Sequence, residues 1–170
     1  GLPIGRTTLV VGSAGCGKTV FSWQFLIEGI KRGETGVYVT FEESPTNIRK
    51  NMRGFGWDIA KLEEEGKWYF VDASPEPGKN AYISGDYDLS PLLARIQYAI
   101  DKVKATRVSM DSLGAIFSYI PDKAQIRDDL FIIVSALRDV NSTAILTSER
   151  NQEYGSISAH GVEEYVADNV

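Results

Sequence analysis

Gly12-Ser13-Ala14-Gly15-Cys16-Gly17-Lys18-Thr19 has the spacing G-x-x-x-x-G-K-T. It follows the apolar run Thr8-Leu9-Val10-Val11 and opens an amphipathic stretch over residues 20–30. A strand that turns through glycines into a helix is the context this pattern needs to be a phosphate-binding loop. Three glycines let the backbone curl until successive N–H groups point at one anion. The helix beginning near Gly17 adds the positive end of its dipole. Lys18 supplies a mobile charge for the outer phosphates, and Thr19 a hydroxyl for magnesium. The stretch predicts a domain that binds a nucleoside triphosphate.

Outward from that loop, strands and helices alternate. Strands are predicted over residues 7–11, 37–41, 68–71, 107–110 and 143–147. Helices are predicted over 17–32, 45–53, 58–66, 91–104 and 122–139. Ser44-Pro45 reads as a helix cap and first helical position, Asp58 as a second cap, and Gly33 as a C-terminal cap. The alternation predicts an α/β fold, a mostly parallel sheet with helices on both faces. Residues 73–87 hold Pro75, Pro77, Gly78 and Gly85 without periodicity and read as a long exposed loop, either a linker or a binding loop.

The composition is that of a globular domain: 170 residues, 43% hydrophobic and 24% charged. No stretch approaches the roughly 20 apolar residues of a membrane span, and no signal peptide precedes the first strand. Cys16 is the one cysteine, so no internal disulfide is possible, in keeping with a reducing cytosol. The net charge is −5. Without a clustered basic stripe, that charge argues against a nucleic-acid partner.

Other candidates for chemistry fall at strand ends, where parallel α/β sheets bind ligands. Asp111 closes the fourth strand, as the acid that holds magnesium together with Thr19 does; a helix cap or turn at Asp111-Ser112 is the alternative. Glu42 and Glu43 close the second strand and could activate an attacking water; a solvated approach to the next helix explains them equally. In Ser148-Glu149-Arg150, Ser148 or Arg150 is placed to sense the outer phosphate, unless the segment is a surface turn. Asp128 and Asp129 read as favouring a helix dipole. His160 reads as structural, and Cys16 as filler within the loop rather than a redox group.

Six further segments carry a resemblance: Gly1-Leu2-Pro3-Ile4-Gly5-Arg6, Thr40-Phe41-Glu42-Glu43-Ser44-Pro45, Phe55-Gly56-Trp57-Asp58, Val71-Asp72-Ala73-Ser74-Pro75, Thr147-Ser148-Glu149-Arg150 and Gly161-Val162-Glu163-Glu164-Tyr165-Val166. With the glycine loop they resemble, in order and across nearly the whole chain, the KaiC family of clock proteins, whose members carry two RecA-like ATPase domains. The likeness is to the N-terminal one. It implies that Gly15, Cys16, Gly17, Lys18, Thr19 and Val20 contact ATP phosphates, that Thr19 and Asp111 meet Mg2+, and that Glu42 and Glu43 are the catalytic pair. The family assembles as hexamers with ATP between subunits, and its N-terminal ring receives KaiB. Its C-terminal domain autophosphorylates a Ser–Thr pair. Residues 161–170 hold neither residue, which implies hydrolysis rather than kinase activity. The family's interfacial basic residues lie beyond residue 170, so the resemblance implies one domain over 1–170, cut short at both ends. A nucleotide-dependent assembly module without turnover, and a RecA-like DNA-strand protein, are the rival readings.

Overall fold

β2 (Gly36–Thr40) is buried along its whole length, which makes it the anchor of the sheet. The computed structural model describes residues 2–74, 89–117, 120, 122–150 and 157–170. From residue 75 onward, the loop expected over 73–87 lies outside them. β2 lies between β3 (Trp68–Asp72) and β4 (Arg107–Asp111). β5 (Thr143–Glu149) follows β4, and β1 (Thr7–Gly12) follows β5. The order is β1-β5-β4-β2-β3 and every pairing is parallel. A parallel sheet buried on both faces explains why Val37, Tyr38 and Val39 form a continuous apolar run rather than an alternating one.

Successive strand residues nonetheless point to opposite faces, and two cores result. Val37, Val39, Val108, Met110, Ala144 and Leu146 meet α4 (Ser90–Val103), α5 (Leu113–Phe117) and α6 (Lys123–Asp139) on one face. Tyr38 and Trp68 meet α1 (Lys18–Lys31), α2 (Pro45–Arg53) and α3 (Ile59–Glu64) on the other. Each large side chain so buried contributes roughly 1.5–3 kcal/mol.

The helix starts follow local chemistry. Ser44 Oγ accepts from Asn47 N at 3.4 Å, Asp58 Oδ1 from Lys61 N at 3.4 Å, and Asp122 Oδ1 from Ala124 N at 2.9 Å. Asp128 and Asp129 do not serve the α6 dipole. They lie beyond its first turn, where the dipole effect has faded. Asp129 is buried, and burial, then its neighbour Asp128, pushes its carboxyl pKa up. The tail returns to β1: Thr8 pairs with Asn169 as in a parallel strand, and Leu9 N donates to Asn169 O at 2.9 Å. Asp168 accepts from Thr7 N at 2.9 Å and from Arg138 Nη2 at 2.7 Å.

Candidate functional site

The glycine loop leaves β1 at Gly12 and enters α1 at Lys18. Gly15 and Gly17 have φ of +77° and +93°, where side chains are rarely tolerated. Gly17 caps α1 without any side-chain acceptor, so the first-turn N–H groups remain available to an anion. Gly12 is packed from the side: a Cβ there would meet Cys16 Sγ, and the cysteine side chain would have to turn away. Cys16 is exposed and covers the start of the loop. Lys18 Nζ donates to Gly12 O at 2.9 Å and Ser13 O at 3.0 Å, bracing the loop from within. Arg150 N donates to Gly12 O at 3.1 Å and ties the end of β5 to the same turn.

Beside this loop lies a cleft of about 370 Å³. Ala14, Gly15, Gly17, Lys18, Thr19 and Val20 line it from the loop side, and Glu42, Glu43 and Asp111 from the strand ends. These nine residues thus share one cavity, whereas Gly12, Ser13 and Cys16 of the motif are not part of its lining. The two glutamates are held separately. Glu42 Oε1 accepts from Ser112 Oγ at 2.8 Å, next to Asp111, whereas Glu43 Oε1 accepts from Asn51 Nδ2 of α2 at 2.8 Å. Thr40 Oγ1 donates to Glu43 O at 2.6 Å and shapes the turn between them.

Asp111 receives a hydrogen bond on each carboxylate oxygen. The Tyr38 hydroxyl donates to Oδ2 at 2.7 Å, and the Thr147 hydroxyl donates to Oδ1. Burial, and then the charge of Asp111, raise the Tyr38 phenol well above its ordinary pKa, so it remains a donor.

Ser148 is not in this cleft. It is fully buried and donates to Glu163 Oε1 at 3.1 Å, on the face opposite Thr147. The expectation chose the wrong parity along β5; Glu149, one residue on, lines the cleft instead. Alternation along the strand carried that information, as did the placement of Tyr38 and Thr40, which also line the cleft. Glu163 is buried. Burial opposes its ionisation, yet hydrogen bonds from Ser158, backbone N–H groups and Ser148 hold its carboxyl below the usual range. His160 packs edge-on against Phe117 at 6.1 Å.

A glycine loop opening a helix, across one cleft from strand-end acids on a parallel sheet, is the arrangement of the RecA-like P-loop nucleotide-binding fold. The chain belongs to the KaiC ATPase family, whose family model, "ATPase: KaiC", matches residues 1–170. It is 64% identical over 170 residues to "Circadian clock protein KaiC3" of Synechocystis sp., covering 100% of this chain and 34% of that protein. It is 52% identical over 171 residues to "Circadian clock oscillator protein KaiC" of Synechococcus elongatus, and 51% identical over 171 residues to the protein of that name from Nostoc sp.; each match covers 100% of this chain and 33% of the relative. The chain thus spans about a third of the length of the curated relatives it matches. Family membership implies nucleotide binding. Among the described residues, no helix is long and apolar enough to cross a membrane.

Proposed function

We propose that this domain binds ATP with Mg2+ and hydrolyses it slowly at the interface between subunits of a ring, a hexamer in the complete protein. The ring would serve a circadian oscillator in the cytoplasm, with a KaiB-like protein as partner and without kinase activity in this domain. The observation that carries the proposal is the placement of Glu42 and Glu43 in the same cleft as the glycine loop and Asp111.

The residues suit the groups involved. First-turn N–H groups and Lys18 match the charge of a triphosphate. Among the described residues, no three or more His, Cys, Asp or Glu gather in a way that could hold a metal alone. That suits Mg2+, which draws most of its ligands from phosphate and water. Thr19 and Asp111 would be the protein's share. The bound ion screens the negative charge that builds up on the phosphates. The chain's own work is positioning. Lys18 holds the outer phosphates, and Glu42, anchored on Ser112 beside Asp111, orients water and accepts its proton. Glu43, anchored on α2, holds the neighbouring wall of the cleft.

The rival is a nucleotide-dependent assembly module with negligible turnover. In the full-length ring, Glu42→Gln/Glu43→Gln keeps size and hydrogen bonding but removes the base. Turnover is expected to fall by about a hundredfold, with ATP affinity and assembly intact. Unchanged hydrolysis would remove the pair from the chemistry. Undetectable hydrolysis in the unsubstituted ring would establish the assembly module.

A further inference from the structure

Tyr38 has no place in the glycine-loop motif, yet its hydroxyl meets the acid opposite that loop. β2, β4 and β5 are neighbours, and each sends one group to the same point on the α1 face. Tyr38 pairs with Ser109 in register, two residues before Asp111, and Thr147 follows Leu146, the partner of Met110. The Tyr38 ring is 1% exposed, stacked on Trp68 at 6.0 Å and edge-on to Phe70 at 5.9 Å. Packing fixes the ring, so the hydroxyl has one position to occupy.

We propose that Tyr38 is a positioning residue: with Thr147, its hydroxyl clamps both oxygens of Asp111 and presents that carboxylate to the nucleotide's metal ion in one fixed orientation. The proposal rests on the reading of Asp111 as the acid beside the metal. An aspartate untethered in an open cleft samples several rotamers, and ordering it would cost free energy each time the ion binds. Two donors settle its plane in advance, and each oxygen keeps acceptor capacity for the ion or its water. A phenolic hydrogen bond also withdraws a little charge from the carboxylate, which works the other way. Orientation outweighs it, since loss of such outer partners typically costs about 10–100-fold in metal affinity. Asp111 would be one ligand among phosphates and waters, so the expected effect is smaller.

The test uses the full-length protein, a non-hydrolysable fluorescent ATP analogue titrated with and without Mg2+, and Mn2+ electron paramagnetic resonance of the nucleotide complex. Tyr38→Phe keeps the ring and removes the clamp. The Mg2+ concentration for half-saturation is expected to rise by about three- to tenfold and the Mn2+ spectrum to change, while metal-free nucleotide affinity stays the same. Thr147→Val is expected to behave alike and Thr147→Ser to restore the parent. This second pair decides the matter if Tyr38→Phe does not fold. Equal loss of metal-free and metal-dependent affinity would reduce Tyr38 to a structural role. A shift in Asp111→Asn alone would overturn the clamp and leave the site standing. No shift even in Asp111→Asn would overturn the site reading itself.

Discussion

Lys18 is the residue on which the glycine loop turns twice over. It braces the loop through Gly12 O and Ser13 O, and the same ammonium is the one charge of the loop available to a phosphate. Lys18→Ala removes charge-assisted hydrogen bonds worth about 1.5–3 kcal/mol and loosens the backbone they hold. ATP affinity measured by calorimetry on the assembled protein is expected to drop by about a hundredfold. Affinity kept within threefold would refute the assignment of the loop. At this scale much was legible, because residues 12–20 carry their chemistry in their own spacing. Ser148 was misplaced because side-chain parity depends on which face of a strand is turned toward a helix. Tyr38 was missed because an aromatic in an apolar strand reads first as core, and its hydroxyl acquires meaning only beside Asp111 on another strand.

α1 shows how an element can be tuned against its own propensity. Gly29 lies inside it, where alanine is ordinarily favoured by about 1 kcal/mol. Here a Cβ would stand 2.5 Å from Arg107 Cδ and Nε. That guanidinium cannot easily swing away: it is paired with Glu34 and donates to Phe25 O at 2.7 Å. Gly29→Ala is therefore expected to destabilise the domain, by about 1–3 kcal/mol in chemical denaturation, as overpacking does. A gain in stability would show that Arg107 relaxes freely. Helices starting at Ser44, Asp58 and Asp122 were legible because a cap is a local signal. α5 was less so: Asp111-Ser112 reads as a helix cap or a turn, and Leu113–Phe117 is too short to show the period that would decide between them.

For the whole molecule, the sequence disclosed a parallel α/β sheet but not its strand order, which no local signal encodes. One ionic knot joins its distant parts. Asp168 of the tail accepts from Thr7 N on β1, from Arg138 on α6 and from Arg6. Burial works against its charge, but these partners prevail and hold its carboxyl below the usual range. A depressed carboxyl stabilises the fold above its unfolded pKa of about 3.9, and that contribution is lost as pH falls through the folded value. Asp168→Asn is expected to cost on the order of 1–3 kcal/mol near pH 7 and progressively less below pH about 4. Urea unfolding at the two pH values checks this, and a cost independent of pH would assign the effect to shape alone. The strand order has a kinetic consequence as well. β2 finds β3, and β4 finds β5, across shorter intervening chain, but the partners of β1, β5 with Ala144 opposite Thr7 and the tail at Asn169, both lie far along the sequence. Loop-closure entropy therefore penalises the docking of β1 more than that of any other strand. The glycine loop hangs from the end of β1, so it is expected to take shape late in folding. A chain caught short of that step would hold most of its sheet and bind no nucleotide, and amide protection on the β5-facing edge of β1 should be the last to appear.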